Sequence, residues 1–161
     1  MKIKELISTR RTIKKFKADK VEKEKIVEWL QVSTFAPNHK MTEPWQVMFI
    51  GEETRKELNH KTNFGNAPML IAVLSNKGRN VLEREENYAS VSCFIQNFIL
   101  QAWDSGVGTF WSSVGASQLG RKVLQVSEEY DVVGVIAIGY PEEIMERKER
   151  TVIEDKIKYL N

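Results

Sequence analysis

Apolar and polar positions alternate along the chain in short, distinct segments. Ile3, Leu6 and Ile7 recur at helical spacing and predict an amphipathic helix over 3–9. Ile26, Trp29, Leu30 and Ser33 make a second helical stripe over about 22–34, flanked by Lys and Glu. Pro37 closes it, because a proline ring excludes the helical conformation from the residue before it. Trp45–Ile50 is a compact apolar run ended by Gly51 and reads as a buried strand with a core tryptophan, and Glu52–Leu58 reads as a further helix. Met69–Ser75 is the clearest strand, with Pro68 at its edge, where a missing N–H is tolerated. A long helix is predicted over about 80–104 from Tyr88, Val91, Ile95, Phe98, Ile99 and Ala102, and Gly106 stops it. Gly108–Val114 then reads as a strand, Ser117–Val126 as a helix and Val132–Ile138 as another buried strand, ended by Gly139-Tyr140-Pro141. The charged tail 142–161 offers only Val152, Ile153, Ile157, Tyr159 and Leu160 for burial.

The second half of the long helix adds Phe94, Leu100 and Trp103 on its other faces. A helix that is apolar all round must be covered on all sides, which for so small a chain implies a partner subunit. The helices precede and separate the strands without regular alternation, which predicts an α+β fold rather than a doubly wound sheet. No repeat, linker or composition shift divides residues 1–161, so a single domain is expected.

Composition narrows the class. The 161 residues are 42% hydrophobic and 29% charged, too apolar for a disordered chain and too charged for a membrane protein. The longest strongly apolar stretches, Pro68–Leu74 and Val132–Ile138, fall far below the ~20 residues of a bilayer span. A net charge of +2 makes no global case for nucleic acid. The first residues lack the apolar stretch of a secretory signal, so a cytoplasmic protein is expected. The single cysteine, Cys93, cannot form an internal disulfide and is expected to be an inert core thiol. Gly106-Val107-Gly108 has Trp111 where a dinucleotide fingerprint needs its third glycine. His39, His60 and Cys93 have no metal-ligand spacing, and no serine sits in a nucleophile elbow.

One constellation remains. Arg10, Arg11, Lys14, Lys15 and Lys17 place five cations in eight residues with no acid among them. Such a run is either a solvated face past a helix terminus or an anion site. Between the second helix and the first strand, Phe35–Trp45 contains Pro37, His39, Lys40, Pro44 and Trp45, a stiff loop suited to lie against a flat aromatic ligand.

Six segments, in order, resemble the nitroreductase family of flavin enzymes, closest to its short single-domain bacterial members. The start, Ser8-Thr9-Arg10-Arg11-Thr12-Ile13-Lys14-Lys15-Phe16, is similar to the family's Arg-Arg-Ser-x-Arg-x-Phe opening. Ala36-Pro37 followed by Pro44-Trp45 is similar to its Ala-Pro-Ser…Gln-Pro-Trp loop. Asn66-Ala67-Pro68, Gly106–Trp111, Val135–Pro141 and Lys148-Glu149-Arg150 follow as they do there.

The resemblance implies a nitroreductase-like α+β fold: a central mixed or antiparallel sheet flanked by helices, with the long helix at a homodimer interface. Two FMN molecules would lie at that interface, with the tail of about 142–161 packing there. Arg10, Arg11, Thr12 and Lys14 would bind the FMN phosphate and ribityl chain, because charge-assisted hydrogen bonds suit a dianion. Lys148 and Arg150 would approach the same phosphate, His39 would reach the partner's flavin, and Trp111, Ser112 and Ser113 would line the flavin. The implied activity is ping-pong transfer of hydride from NAD(P)H through flavin N5 to nitroaromatics, quinones or related acceptors. The cofactor carries the chemistry, so no catalytic side chain and no metal is called for. A flavin-binding sensor or storage dimer without efficient turnover, or another flavin reaction such as dehalogenation, is the alternative. Three positions depart from the pattern: Met41 stands where an Asn bonds the flavin pyrimidine, Glu43 where Gln precedes the Pro-Trp pair, and Phe35 where some short members have Arg.

Overall fold

The computed structural model describes residues 2–160; Met1 and Asn161, the ends of the expected domain and tail, lie outside the described residues. In chain order the elements are α1 (Ile3–Thr9), α2 (Lys23–Ser33), β1 (Trp45–Phe49), α3 (Glu52–Glu57), β2 (Met69–Asn76), α4 (Val81–Asp104), β3 (Gly108–Ser112), α5 (Gln118–Val123) and β4 (Tyr130–Gly139). The sheet has the order β1-β2-β4-β3, with every neighbouring pair antiparallel. The fold is thus α+β, as the segment order predicts, and its sheet is antiparallel rather than mixed.

The two most apolar segments take the middle of the sheet because only there are both strand faces covered. Toward one face, Ile71, Val73, Ile136 and Ile138 pack with Ile26 and Trp29 of α2 and with Phe94, Ile95 and Phe98 of α4. Toward the other, Leu70, Ala72, Val135 and Ala137 meet Ile13, Phe16, Leu58, Phe64 and Leu124. This second layer comes largely from non-helical chain, so the segment after α1 is part of the core. Among the described residues no helix is long and apolar enough to cross a membrane.

α4 begins where the Asn80 side chain accepts from the Glu83 N–H at 3.0 Å, while Glu83 Oε2 accepts from the Arg79 N–H at 2.8 Å. Gln101 Nε2 ties α4 to α2 by donating to the Trp29 carbonyl at 3.0 Å. The Trp103 indole N–H donates to Thr9 Oγ1 at 3.2 Å and docks α1 on the helix.

Several boundaries and burials differ from the sequence expectation. β1 is an edge strand, so its residues are half-buried or exposed rather than buried, and Trp45 stacks on Phe94 with ring centroids 5.0 Å apart. That stack and the Trp103–Thr9 bond cover two faces of α4 from within the chain. Cys93 is exposed rather than a core thiol, because Phe94 and Ile95 take the inward-facing positions and turn Cys93 outward. β3 stops at Ser112, short of Val114, which belongs to a turn over Val114–Ala116, and α5 is shorter than 117–126.

The Trp111 indole lies against the backbone of Gly134, and its N–H donates to the Val133 carbonyl at 3.1 Å. A Cβ at position 134 would collide with that ring. Gly134→Ala is therefore expected to cost about 1–3 kcal/mol, read as a fall in the urea midpoint. In a Trp111→Ala background the same substitution should cost far less; equal costs in both backgrounds would contradict this packing.

Candidate functional site

The cationic run is extended, not helical. Arg10, the residue that ends α1, has φ −53° and ψ 134°, and the chain then crosses the end of the sheet where β3 begins and β4 finishes. Four backbone hydrogen bonds pin it there. Ile13 N–H donates to the Thr109 carbonyl at 3.0 Å, Phe16 N–H to Gly65 at 3.1 Å and Lys17 N–H to Tyr140 at 2.9 Å, while the Lys15 carbonyl accepts from Glu142 N–H at 3.1 Å. Ile13 and Phe16 are buried, so they hold the segment by their side chains as well. Position 65 needs glycine: its φ is +65° and a Cβ there would strike the Lys14 carbonyl.

The Lys15–Glu142 bond also delivers the tail to this place. Arg10, Arg11, Thr12 and Lys14 from the start of the chain line one cleft of about 580 Å³ with Met145, Glu146, Arg147, Lys148 and Arg150. Six of the ten residues singled out from the sequence are thereby brought together. The cleft holds six cations and one acid. No ion pair among the described residues involves any of the six cations. Burial, and then the charges of Arg11 and Arg150, hold the pKa of Arg10 below that of a free guanidinium. The cleft is therefore a concentration of positive charge that a bound anion would relieve.

The cations are not equivalent. Arg11 Nη1 donates to the carbonyls of Ser8 at 3.0 Å, Thr9 at 2.7 Å and Arg10 at 3.0 Å, so one arm of its guanidinium caps the C-terminus of α1. Its Nε is buried without a hydrogen-bond partner. Arg150 Nη1 donates to the carbonyls of Lys148 and Glu149 and stiffens the tail locally. The Lys14 ammonium lies 4.1 Å from the centre of the Phe110 ring. Arg147 was missed in the sequence, although it directly precedes the Lys148-Glu149-Arg150 motif.

The remaining four residues lie elsewhere. Trp111 and Ser112 lie two and three residues beyond Thr109 and the Thr12 bridge, where β3 ends, and Ser113 follows the strand. Trp111 is 37% exposed, Ser112 is buried with its Oγ accepting from Val114 N–H at 3.3 Å, and Ser113 is exposed. His39 is exposed in a short turn, His39–Met41, and lines a second cleft with Lys40, Thr42, Asn80, Glu83 and Asn87. Lys40, Met41 and Glu43 all have positive φ there, and Met41 and Phe35, two of the departures, are exposed. Among the described residues of one chain, the cleft that His39 lines and the cationic cleft share no lining residue.

A cleft lined by cations thus lies beside one end of an antiparallel α+β sheet, and its charge suits an anion. The sequence pattern of the Nitroreductase family matches residues 7–63 and 52–140. "Putative NAD(P)H nitroreductase YfhC" of Bacillus subtilis is 31% identical, over 96% of this chain and 92% of its own. The crystal structure of a nitroreductase-like family protein from Bacillus cereus is 31% identical with a TM-score of 0.90, covering 99% of this chain and 96% of that one. An FMN-dependent nitroreductase from Clostridium difficile R20291, 24% identical, shares the fold with a TM-score of 0.81 over 99% of both chains. The chain belongs to the nitroreductase family.

Beside the cleft, His60 has its pKa lowered from 6.5 by burial first and by Lys14 second. Between that lowered value and 6.5 the unfolded chain binds more protons than the folded one, so stability rises with pH across that interval. The contribution is complete above about pH 6.5 and is lost as pH falls through the folded value. Urea midpoints should therefore fall more steeply on acidification for the wild type than for His60→Asn, whose amide oxygen accepts hydrogen bonds without titrating. Parallel pH profiles would contradict this.

Proposed function

We propose that the protein is an FMN-dependent NAD(P)H oxidoreductase that acts as a homodimer on nitroaromatics, quinones or related acceptors. The observation that carries the reading is the cationic cleft: guanidinium and ammonium groups from both ends of the chain converge with no ion-paired acid among them. That donor set fits a phosphate dianion. Arg10 offers a planar fork, Arg150 the part of its guanidinium that Lys148 and Glu149 leave uncommitted, Lys14 and Lys148 point charges and Thr12 a hydroxyl. Arg11, with one arm committed to the end of α1, would add charge rather than a free fork.

Bound FMN would supply hydride uptake from the nicotinamide and its delivery to the acceptor. The chain's own work is binding, orientation and electrostatics. Within β3 the three steps from Thr109, beside Thr12, to Ser112 span ~10 Å of strand. That suits a ligand with its phosphate in the cleft and its ring near Trp111, Ser112 and Ser113. His39, exposed and separate from its own chain's cleft, would serve the site of the second subunit.

Dimerisation is supported by the tail. Ile144, Val152, Ile153, Ile157, Tyr159 and Leu160 are all exposed in one chain, and so many uncovered apolar side chains on one segment are ordinarily covered by another surface. On this reading residues 1–161 form one FMN-binding domain whose tail packs on its partner. The names of the relatives point the same way: YfhC carries NAD(P)H nitroreductase in its name, and the Clostridium protein is described as FMN-dependent.

The test is to incubate the purified protein with FMN, remove free FMN, and record the visible spectrum and NADH or NADPH oxidation with a nitroaromatic or a quinone. Retained flavin and acceptor-dependent oxidation are expected; neither binding nor oxidation would end the reading. Arg10→Ala and Arg150→Ala should each weaken FMN binding about tenfold, the loss of a hydrogen bond to a charged group, with little change in the Tm of the flavin-free protein. Arg11→Ala should lower that Tm as well, because it removes the α1 cap. An equal loss of Tm in Arg10→Ala would assign Arg10 to folding instead.

A further inference from the structure

A phosphate monoester carries about two negative charges near neutral pH. The cleft sets six cations against the single acid Glu146, so one such group leaves positive charge unanswered. The cations also fall into two sets. Burial first, and then the charges of Arg11 and Arg150, depress the pKa of Arg10, which places those three guanidinium groups together. Arg147 is not among the charges that act on Arg10, although it lines the same cleft. It stands apart, in a stretch of tail with no helix or strand.

Arg147 also differs in its contacts. Arg11 commits Nη1 to three carbonyls at the end of α1, and Arg150 commits Nη1 to those of Lys148 and Glu149. The Arg147 guanidinium is exposed and makes no hydrogen bond and no ion pair among the described residues. Its whole planar fork is open to a ligand. Arg147 and Arg150 line both the cleft and a neighbouring crevice of about 480 Å³, whose other lining residue is Glu149. The two guanidinium groups therefore form the rim between the two hollows and outnumber the one acid in the crevice.

We propose that Arg147 takes the 2′-phosphate of NADPH and thereby selects NADPH over NADH as the nicotinamide substrate. This rests on the flavin reading above, which needs a nicotinamide donor beside the flavin. The two dinucleotides differ by that one phosphate monoester, so telling them apart needs a cation outside the set that holds the flavin's own phosphate. Arg147 meets that condition, because it shares the cleft yet stands away from Arg10. Its fork matches two phosphate oxygens at once, and its exposure leaves the dinucleotide free to come and go. Glu149 repels the same phosphate and limits the preference.

NADP+ and NAD+ are titrated calorimetrically into wild type, Arg147→Ala, Arg147→Lys and Glu149→Gln, each with and without FMN. Wild type should bind NADP+ about tenfold more tightly than NAD+, the gain of a hydrogen-bonded charge pair. Arg147→Ala should abolish that preference by weakening NADP+ alone, Arg147→Lys should keep part of it, and Glu149→Gln should widen it. Equal binding of the two dinucleotides by wild type, or a preference that survives in Arg147→Ala, would overturn the proposal. So would an equal loss of both dinucleotides in Arg147→Ala, or a change of its mass in light scattering, since either assigns Arg147 to folding or to a subunit contact. FMN retained without a preference removes this proposal and leaves the flavin reading standing. A protein that retains no FMN, yet prefers NADP+ through Arg147, removes the flavin reading alone.

Discussion

Like charges repel, and a folded chain gathers six of them around one cleft only if strong forces fix their backbones. Here those forces are the burial of Ile13 and Phe16 and four backbone hydrogen bonds to Thr109, Gly65, Tyr140 and Glu142. The side chains of Arg10, Arg11, Thr12 and Lys14 are carried to the cleft by residues that have no part in it. The repulsion among them is registered at Arg10, whose charged form is disfavoured by burial and by its cationic neighbours. An anion entering the cleft meets charge already assembled, and the ordering cost has been met by the fold.

The same segment couples the cleft to the sheet. Thr12 bridges to Thr109 at the start of β3, while Trp111 near its other end is locked against Gly134 and the Val133 carbonyl. Any displacement of β3 would move both ends of the proposed ligand track together. The loop around His39 has no such anchorage to the cleft within one chain, and its run of positive φ values at Lys40, Met41 and Glu43 marks it as a separate local structure. The proposed second copy would account for this separation and for the apolar tail.

Much of this was legible in the sequence because it rests on local rules. The apolar runs at 69–75 and 132–138 read as buried strands and take the middle of the sheet, whereas the cation run alone left a solvated face and an anion site both open. Errors came where tertiary placement decides. Trp45–Phe49 is apolar enough for a central strand, but it pairs with β2 alone and so stays half-covered at the edge. Cys93 lies in an apolar stretch, yet a rotation of about 100° per residue puts it outside the buried stripe. The link from His60 through Phe110 to Lys14 had no sequence signal, since contacts between residues 50 and 96 positions apart follow no period. The left-handed turn at 63–66 was equally hidden, because only one of its four residues is glycine.

The central claim is that the cationic cleft holds a flavin phosphate. A crystal structure of the protein with FMN tests it most directly. The account predicts the phosphate within hydrogen-bonding distance of Arg10, Lys14 and Arg150, with the ring system toward Trp111. FMN bound with its phosphate elsewhere, or a cleft whose guanidinium groups make no contact with it, would contradict the account.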